Sequence, residues 1–163
     1  MKKFVLILCS LLFLCSCSSA EVKPRLSDIT FTAEMSRFNE SFTFEGELDG
    51  KGNLVAKMTA PEEGKDLVLT LKDGKMTADY KGLVYSPVEG SLPFSSLLKD
   101  FHAPLLQIIR EGLCANGEGK LSGKVENNEY TLFVAPTGLP QRLEMLGGNF
   151  TVRFLNIGVK KVE

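Results

Sequence analysis

The chain has 163 residues, 44% of them hydrophobic, with 19 Lys+Arg against 20 Asp+Glu and one His. That length suits one domain, and a near-neutral balance with both signs interleaved leaves no basic footprint for nucleic acid or for an anionic membrane surface. In chain order the first element reads as an export signal: Lys2 and Lys3 precede an apolar run from Phe4 to Leu14, broken only by Ser10. About twenty apolar residues are needed to cross a ~30 Å hydrocarbon core, so this shorter run suits the h-region of a signal peptide over residues 1–16. Its removal takes away two lysines and no acid, moving the net charge from −1 to −3. Nothing after residue 16 is long and apolar enough to span a bilayer.

Leu14-Cys15-Ser16-Cys17 resembles the lipobox of bacterial lipoproteins. The resemblance implies a thioether-linked diacylglyceryl group on Cys17, with palmitate-like chains, and cleavage just before it. A thiolate is the strong side-chain nucleophile such chemistry needs near neutral pH. Bulky Leu14 before Cys15 fits a small-residue cleavage site poorly, which favours Cys17. Two or three chains at ~0.8 kcal/mol per buried methylene hold a protein on a membrane, where one chain does not. Residues 17–27 then form a lipidated start and a polar tether, and residues 28–163 form the domain. The expected location is extracytoplasmic: the outer face of the cytoplasmic membrane, or an outer membrane where the host has one. With Cys9, Cys15 and Cys17 in or beside the signal, Cys114 is alone in the body; no disulfide framework follows, and Cys114 reads as a small buried residue.

From Asp28 the dominant period is two. Ile29, Phe31, Ala33 and Met35 alternate with polar residues, as do Phe42, Phe44 and Leu48, then Leu54, Ala56 and Met58. Leu67, Leu69 and Leu71 continue the pattern, followed by Met76, Ala78 and Tyr80. Alternation of this kind marks an antiparallel sheet wet on one face. Asn39-Glu40, Asp49-Gly50, Asp73-Gly74, Asn127-Asn128 and Gly147-Gly148 supply the turns of a meander.

The period changes once. Ser91 is a plausible N-cap, Pro93 sits in the first turn, and Phe94, Leu97, Leu98 and Phe101 follow at helical spacing. Pro104 is expected to break this helix and start another carrying Leu105, Ile108, Ile109 and Leu113, closed by Gly112. Strands resume at Leu121, Tyr130, Leu143 and Phe150. The fold class is therefore mainly β with some α: about ten strands in a curved antiparallel meander, an incomplete barrel, with two short helices plugging its concave face.

Leu67 to Pro87, with Lys72-Asp73-Gly74-Lys75 and then Leu83-Val84-Tyr85-Ser86-Pro87, resembles the LolA family of periplasmic lipoprotein carriers. Ala103 to Ile109 resembles the family's proline-started helix, and Phe150 to Ile157 its closing strand. The resemblance implies an incomplete barrel whose apolar interior accepts acyl chains when a helical lid moves. This chain departs from the pattern in two places. The opening helix is missing or reduced to residues 21–27, and Ala60 stands before Pro61 where the family carries a lid-latching arginine. A tethered relative that holds a ligand fits better than a soluble shuttle.

The expected ligand contacts are Phe31, Met35, Phe44, Met58, Leu69, Phe94, Leu97, Leu98, Leu105, Ile108 and Ile109. Met35, Met58, Met76 and Met145 share the parity of the apolar face, which suits a pocket that repacks around flexible chains or an ordinary core. His102, beside Asp100 and between the two expected helices, reads as a helix-end contact, since no serine or cysteine motif surrounds it. No metal-ligand spacing, cofactor motif or catalytic constellation is present, and the expected state is a monomeric, non-catalytic lipoprotein. Its expected partners are the membrane, through the anchor, and a lipid or lipoprotein acyl chain. The alternative is a scaffold lipoprotein whose interior is filled by its own helices.

Overall fold

The computed structural model describes residues 21–86, 93–146 and 150–160. Residues 1–16, Cys17, the Ser91 cap and the Gly147-Gly148 turn lie outside the described residues. Among the described residues are ten strands and one long helix. Before the helix come β1 (Ile29–Arg37), β2 (Glu40–Leu48), β3 (Leu54–Ala60), β4 (Leu67–Lys72), β5 (Lys75–Tyr80) and β6 (Leu83–Tyr85). Helix α1 (Pro93–Glu111) follows, then β7 (Lys120–Val125), β8 (Asn128–Val134), β9 (Pro140–Met145) and β10 (Phe150–Val159).

The sheet order is β6-β5-β4-β3-β2-β1-β10-β9-β8-β7, and every neighbouring pair is antiparallel. The two halves of the meander meet where β10 returns beside β1, and β6 and β7 are left as edges, so the barrel stays open. Asp73 and Gly74, at φ 51° and 76°, make the two-residue hairpin turn that their types favour. The first hairpin instead turns on Phe38-Asn39, and the later one on Glu126-Asn127, one residue before the Asn-centred expectations. The register explains it: Met35 must oppose Phe42 and Ala33 must oppose Phe44 on the buried face, and a one-residue slip would turn them all to solvent.

The expectation of two helices is not met. Helix α1 runs unbroken through Pro104. Phe94, Leu97, Leu98, Phe101, Leu105 and Ile108 form one stripe, and all are buried. A helical proline costs about 3 kcal/mol, whereas burying a single large apolar side chain contributes roughly 1.5–3 kcal/mol. Six such side chains outweigh the defect. The helix ends in a Schellman motif, with Gly112 at φ 63° and the Leu113 N–H donating to the Ile108 carbonyl. Beyond it Ala115 turns inward and pairs with Val22, leaving Cys114 exposed rather than buried as expected.

Leu106 packs against Gly52 in the β2–β3 turn, while the next residue, Gln107, accepts a hydrogen bond from Tyr130 Oη of β8. On a flat sheet those strands would lie roughly 20 Å apart at ~4.8 Å per strand, about twice a helix diameter. The sheet must therefore curl around α1, with the helix on its concave face.

Candidate functional site: a greasy chamber under one helix

The concave face is built by strand parity. Ile29, Phe31, Ala33 and Met35 of β1, Phe44 of β2, Met58 of β3 and Leu69 of β4 all point to one side and are buried. From the helix, Phe94, Leu97, Leu98, Leu105 and Ile108 meet them, and Ile109 is partly buried against the same cluster. All eleven sequence-derived contact residues thus share one apolar body. Met35, Met58, Met76 and Met145 lie on the expected face and are buried.

Sequence reasoning left out the aromatic centre. Phe101 is fully buried, its ring centroid 6.1 Å from Phe31, 5.7 Å from Phe44 and 5.9 Å from Phe154. Phe94 packs on Phe42 and Phe44 at 5.5 and 5.8 Å. Most of these are edge-on or tilted contacts, the geometry that ring quadrupoles favour. Phe101 was signalled by its helical spacing from Phe94. Phe154 was signalled by the parity it shares with Phe150 and Val152, and a bulge between Thr32 and Ala33 shifts the β1–β10 register just beyond it. Gly46 gives this centre its room: a Cβ there would collide with the Phe31 ring.

Helix and sheet share no backbone ladder; side chains hold them together. Polar contacts supplement the packing. Tyr130 Oη donates to Gln107 Oε1 at 3.2 Å, and burial, with Glu111 nearby, pushes the Tyr130 phenol up. His102 is not at a helix end as expected; it sits in mid-helix, 8% exposed, with Nε2 2.5 Å from the Gly52 carbonyl oxygen. Burial depresses its pKa, partly offset by the Gly52 bond and reinforced by the Arg110 charge. His102 is therefore neutral near pH 7, and Nε2–H donates. Burial also raises the Asp100 pKa, opposed by Arg37 and reinforced by Glu126. Two residues apart on a helix, Asp100 and His102 do not face each other.

A surface hollow of about 430 Å³ lies between Arg37, Phe38, Asn39 and Glu40 on the β1–β2 turn and Ser96 and Leu97 on the helix. Phe38 stands 73% exposed on its rim. At the opposite end, residues 21–27 pack against the domain. Leu26 is buried, Val22 and Ala115 exchange backbone hydrogen bonds, and Arg25 N–H donates to the Gly138 carbonyl. Among the described residues no group of three or more His, Cys, Asp or Glu is placed to hold a metal ion, and no helix is long and apolar enough to cross a membrane.

No protein-family model and no curated protein matches the chain. Among solved structures, an uncharacterized conserved protein from Thermus thermophilus shares the fold at TM-score 0.50 and 11% identity, over 85% of this chain and 82% of its own. A LolA superfamily protein from Nitrosomonas europaea aligns at TM-score 0.42 and 6% identity, over 87% of this chain and 90% of its own.

Proposed function

We propose that this chain is a membrane-anchored, non-catalytic lipoprotein that takes an acyl chain or similar greasy ligand between its curled sheet and α1. The observation that carries the reading is the helix itself. It covers a largely apolar interior, is joined to the sheet through side chains, and has a proline in its middle. Pro104 has no N–H to give the Asp100 carbonyl, so the helical ladder is interrupted where a lid would bend. The four methionines beneath it can repack around a flexible chain at little cost. The hollow beside Phe38, which Leu97 of the helix also lines, would give a ligand a place to approach the edge of α1. The sequence resemblance to LolA relatives, Cys17 within a lipobox pattern and the half-barrel architecture all favour this reading.

The closed packing of Phe31, Phe44, Phe94, Phe101 and Phe154 favours a second reading, in which the helix permanently fills the sheet and the protein serves as a scaffold. Mass spectrometry separates the two. The mature chain carrying Cys17→Ser, purified without detergent, is expected to retain lipid in stoichiometric amount and to exchange it for a fluorescent fatty acid. A lipid-free protein that excludes the probe would leave the scaffold reading standing.

A further inference from the structure

The convex face of the sheet carries an opening that neither the chamber nor the anchor uses. Strands β9 and β10 pair from Met145 and Phe150 as far as Arg142 and Arg153, where their ladder ends among the described residues. Past that point β10 stays with β1, β9 stays with β8, and both strands bulge. Leu155 has no partner between the Ala33–Phe154 and Thr32–Asn156 pairs, and Gln141 has none between Phe133–Arg142 and Val134–Pro140. Two bulges side by side bend the strands apart. The fork between them holds a hollow of about 460 Å³ lined by Phe133, Gln141, Arg142, Arg153, Phe154 and Leu155. Arg142 alternates with buried Leu143, Arg153 with buried Val152, and Phe133 with buried Leu132 and Val134. These three side chains therefore face outward, away from α1.

Two guanidinium groups thus meet across one ladder step. Like charges directly opposite on neighbouring strands destabilise a sheet, and no acid lines the hollow. The acids nearest in register are Glu34, opposite Arg153 on β1, and Glu144, two positions from Arg142 on the side away from the fork. Glu34 accepts from Ser41 Oγ, and exposed Arg153 makes no ion pair among the described residues. Glu144 Oε1 lies 3.1 Å from Arg142 Nε, yet that buried nitrogen has no hydrogen-bond partner. The Arg142 guanidinium is held instead over the Phe133 ring, 4.3 Å from its centroid. Both carboxylates flank the pair from outside, so inside the fork the guanidinium charge is unanswered.

We propose that this fork binds the phosphate group of a phosphomonoester, held between Arg142 and Arg153 with the Gln141 amide beside them. Each guanidinium offers a planar set of N–H donors. A phosphate carries three acceptor oxygens and about −1.5 to −2 charge near pH 7, so it answers both cations. A carboxylate has two oxygens and one charge; one arginine satisfies it and the other stays unmatched. Exposed Leu155 and the Phe133 ring give the carbon skeleton of the ester an apolar wall beside the phosphate. The site lies outside the chamber, so it stands whether or not α1 opens.

The mature chain carrying Cys17→Ser is titrated calorimetrically with glycerol 3-phosphate and, separately, mixed with phosphatidylcholine vesicles containing phosphatidic acid. Saturable binding of glycerol 3-phosphate, weakened roughly tenfold or more by Arg153→Gln and by Arg142→Lys, identifies a soluble phosphoester as the ligand. Binding confined to the phosphatidic acid vesicles, and lost in the same variants, places the phosphate on a lipid headgroup. Lys72→Gln, which removes an exposed cation on β4, is expected to leave binding unchanged. Without ligand, Arg153→Gln should melt no lower than the parent, because it removes a like-charge contact, so lost binding is separable from lost folding. Absence of saturable binding in both titrations, equal binding of acetate, or binding that survives both arginine variants overturns the site.

Discussion

His102 offers the sharpest test of how the helix is held. Replacing it with Leu keeps an apolar body of similar bulk but removes the donor to the Gly52 carbonyl, which lies at a buried residue. A buried acceptor left without a partner costs about 1–3 kcal/mol, more than the ~0–1 kcal/mol of an exposed ion pair such as Lys65–Glu62. At about 4 °C per kcal/mol for a domain of this size, His102→Leu should lower Tm by roughly 8 °C. His102→Gln, whose amide N–H can reach the same oxygen, should recover most of the loss. The pH dependence has a definite sign. Burial holds the folded-state pKa of His102 below its ordinary 6.5, so the unfolded chain takes up the proton first. The contribution is complete above pH 6.5 and is lost as pH falls from there through the depressed folded value. Urea midpoints near pH ~7.5 and pH ~5.5, for parent and variants, measure this directly. The raised pKa of Asp100 acts in the opposite sense but is common to all three proteins, so the difference between them isolates His102. A Leu variant as stable as the parent, or one that keeps the parent's loss of stability toward low pH, would refute the reasoning.

Phe101→Ala removes the ring at the centre of the aromatic cluster and should cost about 3–5 kcal/mol in chemical denaturation. Pro104→Ala restores an N–H opposite the Asp100 carbonyl. It should raise stability by about 1–3 kcal/mol while slowing uptake of a fluorescent fatty acid in stopped-flow, because the bending point is gone. Asp49→Ala opens the β2–β3 turn at a cost of about 1–2 kcal/mol. In the parent, burial raises the Asp49 pKa, but bonds from Asn53, Lys51 and Gly52 together outweigh it and bring the pKa below 3.8. That contribution is present above pH 3.8 and lost as pH falls through the lower folded value, so acid titration of the variant should show a shallower loss.

The strands were legible because parity is a local property. Ile29 to Met35 and Leu54 to Met58 alternate whatever they pair with, and only a one-sided sheet satisfies them all. The helix was misread because a local rule, proline as a breaker, was set against a nonlocal gain. The stripe from Phe94 to Ile108 keeps one phase across Pro104, and a count of that phase would have joined the halves. Cys114 was misplaced by extending the apolar stripe past Gly112, where the left-handed cap redirects the chain. His102 could not be read at all: its partner is a backbone carbonyl fifty positions away, and carbonyls leave no mark in a sequence.

The claim at the centre is that acyl chains enter the space beneath α1. A fatty acid carrying a nitroxide on its chain, titrated into the mature Cys17→Ser protein labelled with ¹³C at its methionine methyls, tests it most directly. Met35, Met58, Met76 and Met145 all lie on the concave face, so their resonances should broaden together at stoichiometric probe. Four unchanged methyl signals at saturating probe would show that the helix stays shut, and the binding account would fail.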